Sequence, residues 1–361
     1  MAQALALGRS HLGLVAPNPS VGALVVRAGE IVGRGVTHAG GRPHAETIAL
    51  DAAGAAARGA TLYVTLEPCS HTGKTGPCAD ALIAAGIARV VSAMQDPDPR
   101  VCGHGHARLR AAGIEVLVGV EGEAALRKNL GHVLRVTKGR PMVTLKLAET
   151  RDGYAAGDEH DPRLMITGAI ANQRTHEWRS AHDAIMVGIG TVLADDPLLT
   201  VRLPGGEPRK PKRVVLDTHL RLPLSSRLVA TVQEAPVWVL AGRGAPAARA
   251  QALEARGVEI FRIAEGAGGH VDLAAALKWL AQNGLTRIFS EGGPRVAAAL
   301  IGQGFADACI FLTSIKPFGR AGVEALAKPA RQILADPARY QLASDDMLGQ
   351  DRMRVYERVL G

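Results

Sequence analysis

The feature that most constrains this chain is a set of residues in three short segments: His44-Ala45-Glu46, Pro68-Cys69, and Cys78, with eight residues between the two cysteines. One imidazole and two thiolates leave the fourth position of a tetrahedral zinc open, and an open position separates a catalytic zinc from a structural one. His44, Cys69 and Cys78 are therefore the expected ligands of one zinc ion per chain. Either cysteine or the histidine alone would carry little, because a buried Cys or His usually serves a core. The conjunction of all three segments carries the reading. The run from Ala45 to Ala57 has no glycine before Gly54 and reads as a helix, with His44 and Glu46 in its first turn. Thr61 to Leu66 reads as a strand, and Pro77 to Ala85 as a helix opened by proline. The cysteines thus bracket a strand-to-helix loop.

Glu46 is not needed as a ligand and is free to handle protons. A His-x-Glu segment paired with a Pro-Cys segment is the arrangement of zinc deaminases, where the Glu is the general acid and base. Nucleic-acid deaminases share both segments, but their second cysteine follows after two residues rather than the eight found here. Composition points the same way. Aromatic residues are only 3% of the chain, so platforms for stacking bases are nearly absent. The formal charge of +8 favours anionic partners, but the arginines are dispersed rather than clustered. Phosphorylated small molecules suit such a chain, and a nucleic-acid partner does not. No apolar run approaches the roughly 20 residues of a membrane helix, and no signal peptide is recognisable, so neither a membrane partner nor export is expected. Cys102 and Cys309 are far apart in sequence and receive no role, which fits the reducing cytoplasm.

At 361 residues the chain accommodates two domains. Ala2 to Leu14 reads as a helix, and Val21 to Arg27 with Glu30 to Val36 as a hairpin around Ala28-Gly29. Strands at Arg89 to Met94 and Ile114 to Val118 then alternate with helices at His104 to Ala111 and Glu121 to Thr137. This is a layered α/β domain, residues 1–141. A second α/β domain, residues 142–361, opens with a strand at Met142 to Glu149. Further strands are expected at Ala184 to Val187, Arg213 to Leu216, Val237 to Ala241, Val258 to Ile263, Arg287 to Ser290 and Ala308 to Thr313. Helices are expected at Ala169 to Ser180, Pro246 to Arg256, Asp272 to Gln282 and Pro294 to Gly302. Its site marker is Ser290-Glu291-Gly292-Gly293-Pro294, a glycine turn able to present backbone N–H groups to phosphate. Gly188-Ile189-Gly190 is only a fragment of G-x-G-x-x-G, so a standard Rossmann domain is not supported.

With these residues in view, nearly the whole chain resembles the bifunctional riboflavin-biosynthesis deaminase/reductase family. The resemblance rests on Asn18-Pro19-Ser20-Val21-Gly22, His44-Ala45-Glu46, and the run from Glu67 to Cys78 containing Gly73-Lys74-Thr75. It continues through Gln95 to Pro99, Leu145-Lys146-Leu147, Asp152-Gly153, the run from Thr191 to Arg202, and Glu291 to Pro294. It implies a cytidine-deaminase-like three-layer N-terminal domain and a dihydrofolate-reductase-like α/β C-terminal domain. The first would hydrolyse the 2-amino group of a 2,5-diamino-6-(5-phosphoribosylamino)pyrimidin-4-one. The second would reduce the ribose of the product to a ribityl chain with NADPH.

The resemblance also implies sites. Asn18, His71 and Lys74 would hold the deaminase substrate. Arg179, Leu199, Arg202 and Glu291 would hold the reductase substrate. Ala148, Thr191, Asp195, Thr218 and Gly293, Pro294, Arg295 and Val296 would line NADPH, with Lys146 and Asp152 as polar groups near the hydride. Where the family usually carries Ser-x-Trp-Ile-Thr, this chain has Arg163-Leu164-Met165-Ile166-Thr167. Arg163 is then expected at the substrate and Met165 at the cofactor. A homo-oligomer formed through the reductase domain is also implied. The rival to an active second half is a degenerate scaffold, against which the retained Asp195-Asp196-Pro197 and Glu291-Gly292-Gly293 argue.

Overall fold

The computed structural model describes residues 1–72, 76–158, 161–162, 164–205 and 209–360. The chain divides into two compact units, Met1–Pro141 with Ala281–Thr286, and Met142–Leu280 with Arg287–Gly361.

The first unit contains α1 (Ala2–Arg9), β1 (Gly22–Arg27), β2 (Glu30–Val36), α2 (Ala45–Ala53), β3 (Thr61–Val64), α3 (Cys78–Ala84), β4 (Arg89–Ser92), α4 (His104–Ala111), β5 (Glu115–Val118) and α5 (Gly122–Lys138). Its sheet runs β2-β1-β3-β4-β5. The β1–β2 turn has Ala28 and Gly29 both at positive φ, the tight hairpin geometry that matches strand twist. Neighbouring residues of a strand face opposite sides of the sheet. A Cβ on Gly22 would strike the Ala4 carbonyl of α1, whereas one on Gly35, the partner of Ala23, would strike the Ala45 carbonyl of α2. Helices therefore cover both faces, giving three layers. Val25, Leu62, Val64, Leu82, Val90 and Leu109 are completely buried between them and form an aliphatic core.

Two sequence expectations are corrected here. The opening helix ends at Arg9 rather than Leu14, because the Ser10 hydroxyl donates to the Leu7 carbonyl (2.7 Å) and Gly13 turns to positive φ. The helix after His44 starts at Ala45 as expected but ends at Ala53 rather than Ala57, and His44 stands outside its first turn. His44 is its N-cap, in extended conformation (φ −74°, ψ 158°), while Glu46 lies in the first turn.

The second unit contains β6 (Met142–Glu149), β7 (Tyr154–Ala156), α6 (Ala169–Ser180), β8 (Ala184–Gly188), α7 (Ile189–Asp195), β9 (Lys212–Leu216), α8 (Arg227–Ala230), β10 (Val237–Gly242), α9 (Ala247–Glu254), β11 (Glu259–Ile263), α10 (Leu273–Gln282), β12 (Arg287–Ser290), α11 (Pro294–Gly302), β13 (Ala308–Thr313), β14 (Val323–Glu324), α12 (Lys328–Ala335), β15 (Tyr340–Leu348) and β16 (Asp351–Arg358). Its large sheet runs β11-β10-β9-β8-β12-β6-β13-β16-β15. The strands from β11 to β13 are parallel, and β16 and β15 add an antiparallel edge. The chain passes from β6 to β8, runs outward to β11, then returns to insert β12 between β6 and β8. Ligands of open α/β sheets bind beyond the carboxyl ends of strands where the direction switches. In this unit that place is the ends of β6, β12 and β8.

Candidate active sites

In the first unit, β3 leads through Leu66 and Glu67 to Pro68-Cys69, α2 begins just after His44, and α3 begins with Cys78. Their ligand atoms lie within 4.8 Å of one another, and among the described residues no other such group of His, Cys, Asp and Glu occurs. His44 Nδ1 is 3.2 Å from Cys78 Sγ and 3.7 Å from Cys69 Sγ. The nitrogen-to-sulfur edge of a zinc tetrahedron, from bonds of about 2.1 and 2.3 Å, is about 3.6 Å, so this donor set fits that ion. The backbone N–H of Cys78, at the start of α3, donates to Cys69 Sγ (3.3 Å). A helix start favours a thiolate there.

The charges point the same way. A hydrogen bond from the Cys78 thiol, with help from His44, holds the Cys69 thiol down at about 4 despite burial. The same bond, with burial and the nearby Glu46 charge, drives Cys78 well above the usual thiol range. Two sulfurs thus share one proton, and a divalent cation is what would let both ionise. Glu46 is 3% exposed, and burial, reinforced by the Cys69 charge, pushes its carboxyl up to about 7.

Asn18 donates from Nδ2 to the Gly41 carbonyl (2.7 Å), and Gly41 sits at φ +88° where a Cβ would collide with the Asn18 side chain. His71 keeps a buried Nδ1 without a partner among the described residues. Lys74 lies outside the described residues. Sequence reasoning gave Glu67 only a motif position. Its buried carboxylate accepts the N–H groups of Asp96 (3.2 Å), Gly103 (2.9 Å) and His106 (3.1 Å), locking the Gln95–Pro99 segment against the residues that lead to Cys69. His132 adds a 3.0 Å contact to Asp96.

In the second unit, Glu291 follows β12 and pairs with Arg179 from α6 through both oxygens (2.5 and 2.9 Å). Burial opposes its ionisation, but Arg179 and Lys146 more than offset this and hold its carboxyl below the ordinary value. Lys146 and Ala148 are the half-buried residues of the otherwise buried β6 and share one face of it. Arg179 also donates to the Thr200 carbonyl (2.9 Å), Arg202 donates to Thr200 Oγ1 (2.8 Å), and the Arg202 N–H bonds to His176 Nδ1 (3.2 Å). Burial, with Arg179 and Arg202 nearby, keeps His176 neutral down to about 4. No sequence signal had marked His176.

The two strand-to-helix turns at this end are joined, because the Gly293 N–H donates to Thr191 Oγ1 (3.0 Å). A Cβ on Gly188 or Gly292 would meet Val296 at 2.9 and 2.7 Å, so these glycines let the turns close on α11. Thr191, Gly293, Pro294 and Val296 are thus brought together, while Arg295 is exposed. Thr218 is buried at the end of β9 and accepts the Val271 N–H (3.0 Å), and Asp195 closes α7. The Leu199 side chain is buried in the core with its backbone at φ +50°, so only its backbone is free to meet a ligand. Asp152 is drawn elsewhere. It accepts from Thr150 Oγ1 (2.6 Å), Phe318 N (2.8 Å) and Gly319 N (2.9 Å), and the Thr150 bond leads in holding it at about 2. It lines a cavity of about 810 Å³ with Glu149, Arg331 and Arg354 that does not include Lys146 or Glu291. Met165 is 73% exposed, and Arg163 lies outside the described residues.

Comparison with known proteins decides the family. Residues 1–94 match the cytidine and deoxycytidylate deaminase zinc-binding region, and residues 141–335 match the RibD C-terminal domain. The riboflavin biosynthesis protein RibD of Aquifex aeolicus is 41% identical over 88% of this chain and 87% of its own length. This chain belongs to the RibD family. The Escherichia coli RibD is 38% identical over 97% of this chain and 96% of its own. Two solved RibD-family structures superpose over 99% of the chain and 97% of their own. They are Acinetobacter baumannii RibD (34% identity, TM-score 0.86) and the deaminase/reductase of Thermotoga maritima (33% identity, TM-score 0.84). The RibD fold thus carries a zinc-binding deaminase region and a reductase domain on one chain. The chain is a bifunctional enzyme of riboflavin biosynthesis, and no helix among the described residues is long and apolar enough to cross a membrane.

Proposed function

We propose that residues 1–141 deaminate the 2,5-diamino-6-(5-phosphoribosylamino)pyrimidin-4-one and that residues 142–361 reduce the resulting phosphoribosylaminouracil with NADPH. The observation that carries the first step is the convergence of His44, Cys69 and Cys78 beside a buried Glu46. His44, Cys69 and Cys78 would hold the zinc, which would supply a water whose pKa is lowered toward about 7. Glu46 would take one proton as the water attacks the carbon bearing the amino group and pass it to the ring nitrogen, then take the second from the hydroxyl now on that carbon and give it to the amino group, which leaves as ammonia. Burial suits Glu46 to both halves of that cycle, because a carboxyl poised near neutrality gives and takes a proton readily. Asn18, His71 and Lys74 hold the substrate, with Lys74 placed by its charge to meet the phosphate.

In the second unit, Arg179 and Glu291 are fixed by their mutual pair. With Arg202 and the Leu199 backbone they orient the phosphoribosyl group, and Arg163 adds to that contact. The joined turns at Thr191 and Gly293–Val296 would hold NADPH, with Ala148, Met165, Asp195 and Thr218 as further contacts. Lys146, next to Glu291, is the polar group nearest the ribose, and Asp152 holds a neighbouring loop. We place the enzyme in the cytoplasm, since thiolate ligands need a reducing compartment, and its self-association in the second unit, where edge strand β15 leaves Leu342 and Met347 exposed. The test is to measure zinc content, ammonia release and NADPH oxidation on the purified chain. One zinc per chain with both activities is expected. Ammonia release from zinc-free protein would overturn the first step, and no NADPH oxidation with supplied aminouracil would favour a scaffold role for the second unit.

A further inference from the structure

The loop from Asp196 to Arg202, with the start of α8 and Arg179 bonded to it, holds three guanidinium groups against the carboxylates of Glu291 and Asp196. The Glu291 carboxylate is engaged on both oxygens by Arg179. Among the described residues, the Arg202 Nη1 finds the neutral Thr200 hydroxyl and no carboxylate. Arg227 is tied to the same loop through its backbone, whose N–H donates to Asp196 Oδ1 (2.8 Å). Its side chain is exposed, and its guanidinium makes no ion pair or hydrogen bond among the described residues. Burial, with Arg179 and Arg227 close by, pulls Arg202 below its ordinary value, so the three cations feel one another. His176 beside them stays neutral and relieves none of this.

The backbone that holds them together is itself unusual. Asp196 (φ +38°) and Leu199 (φ +50°) both occupy the left-handed region that residues other than glycine rarely adopt. The fully buried Arg213 braces the loop by donating to the Leu198 carbonyl (3.2 Å), with further bonds to Thr231 and Ala235. Two carboxylates stand among these three guanidinium groups, Glu291 held by Arg179 and Asp196 held by the Arg227 N–H, and neither makes an ion pair with Arg202 or Arg227 among the described residues, which leaves those two guanidinium groups able to meet an anion.

We propose that Arg227 completes a phosphate-monoester site with Arg202 and Arg179, as a binding residue additional to those named above. The inference rests on the reading of the second unit as a reductase for a phosphorylated substrate. Arginine suits the role because its planar fork meets phosphate oxygens in pairs. The monoester could belong to the substrate's 5′-phosphate or to the 2′-phosphate of NADPH, and both are dianions of the same geometry.

The experiment compares the parent, Arg227→Gln and Arg227→Lys, all full-length and zinc-loaded. Dissociation constants are measured for four ligands: the phosphoribosylaminouracil, its dephosphorylated riboside, NADPH and NADH. The Gln variant is expected to bind one phosphorylated ligand about 10- to 100-fold more weakly while its phosphate-free counterpart changes by less than about twofold, in line with loss of a charged hydrogen bond. Lys should restore part of the loss. A loss confined to the aminouracil assigns the site to the substrate, and a loss confined to NADPH assigns it to the cofactor. Unchanged constants for all four ligands overturn the inference. So does an equal loss for phosphorylated and phosphate-free partners, which would mean a merely structural role. If the parent itself does not distinguish either phosphorylated ligand from its counterpart, the reductase reading fails with it.

Discussion

Lys128 lies on α5 and is 7% exposed, inside a unit whose core is otherwise aliphatic. Its Nζ donates to Thr65 Oγ1 (3.2 Å) and packs against Gly8, where even a Cβ would come within 2.1 Å of it. Burial, with Arg9 adding to it, pulls the ammonium from 10.5 down to about 7. A folded-state pKa below the unfolded one means that the unfolded chain binds the extra proton between about pH 7 and 10.5. Stability of the first unit therefore rises with pH across that window. The difference of about 3.5 units corresponds, at about 1.36 kcal/mol per unit, to an upper limit of about 5 kcal/mol below pH 7. Lys128→Met removes that cost and forfeits the hydrogen bond to Thr65, of about 1 kcal/mol. A net gain of a few kcal/mol at pH 7 is expected, shrinking to nothing or to a small loss near pH 10.5. The three tryptophans, Trp178, Trp238 and Trp279, all belong to the second unit, so zinc release in urea reports the first unit and Trp fluorescence the second. The variant should move the zinc-release midpoint up at pH 7 and leave the fluorescence midpoint in place. A difference between variant and parent that does not change with pH would refute the reasoning.

Cys69→Ala should lose zinc and deamination together, because it removes a ligand and the acceptor of the Cys78 N–H, while NADPH oxidation with supplied aminouracil continues. Elemental analysis with the two activity assays checks both parts. Glu291→Gln leaves Arg179, whose side chain is 12% exposed, without its carboxylate. Breaking such a pair should lower stability of the second unit by about 3 kcal/mol and depress reduction but not deamination. Because the Glu291 carboxyl is held below its ordinary value, this cost is present at neutral pH and fades as the parent's carboxylate protonates in acid, which urea titrations at two pH values will show.

The zinc site was legible in the sequence because its chemistry is local. Each ligand stands beside a helix start or a strand end, and those elements announce themselves by proline, glycine and β-branched residues. Most of the alternating strands and helices up to Thr313 were legible for the same reason, β7, α7 and α8 being the exceptions. What followed was not. The hairpin of β15 and β16 carries the charged residues Asp345, Asp346, Asp351, Arg352 and Arg354, so it lacks the apolar alternation of a half-buried strand. The short helices α7 and α8 hold seven and four residues, too few for a periodic pattern to show. The neutrality of His176 and the partnership of Glu67 with three backbone N–H groups depend on residues far apart in the chain, and no spacing rule reaches them. Asp152 illustrates the converse, since its motif position is plain in sequence while its hydrogen bonds are made with a loop more than 160 residues away.

The account's central claim is that Glu46 moves the protons of a zinc-bound deamination that is independent of the reductase. The direct measurement is ammonia release by Glu46→Gln, alongside its zinc content and its NADPH oxidation with supplied phosphoribosylaminouracil. Glutamine keeps the shape and removes the proton transfer, which typically contributes about 10² to 10⁴ in rate. The account predicts full zinc occupancy, a fall in ammonia release of at least that lower size, and unchanged NADPH oxidation. Ammonia release close to that of the parent, from protein that still holds its zinc, would contradict it.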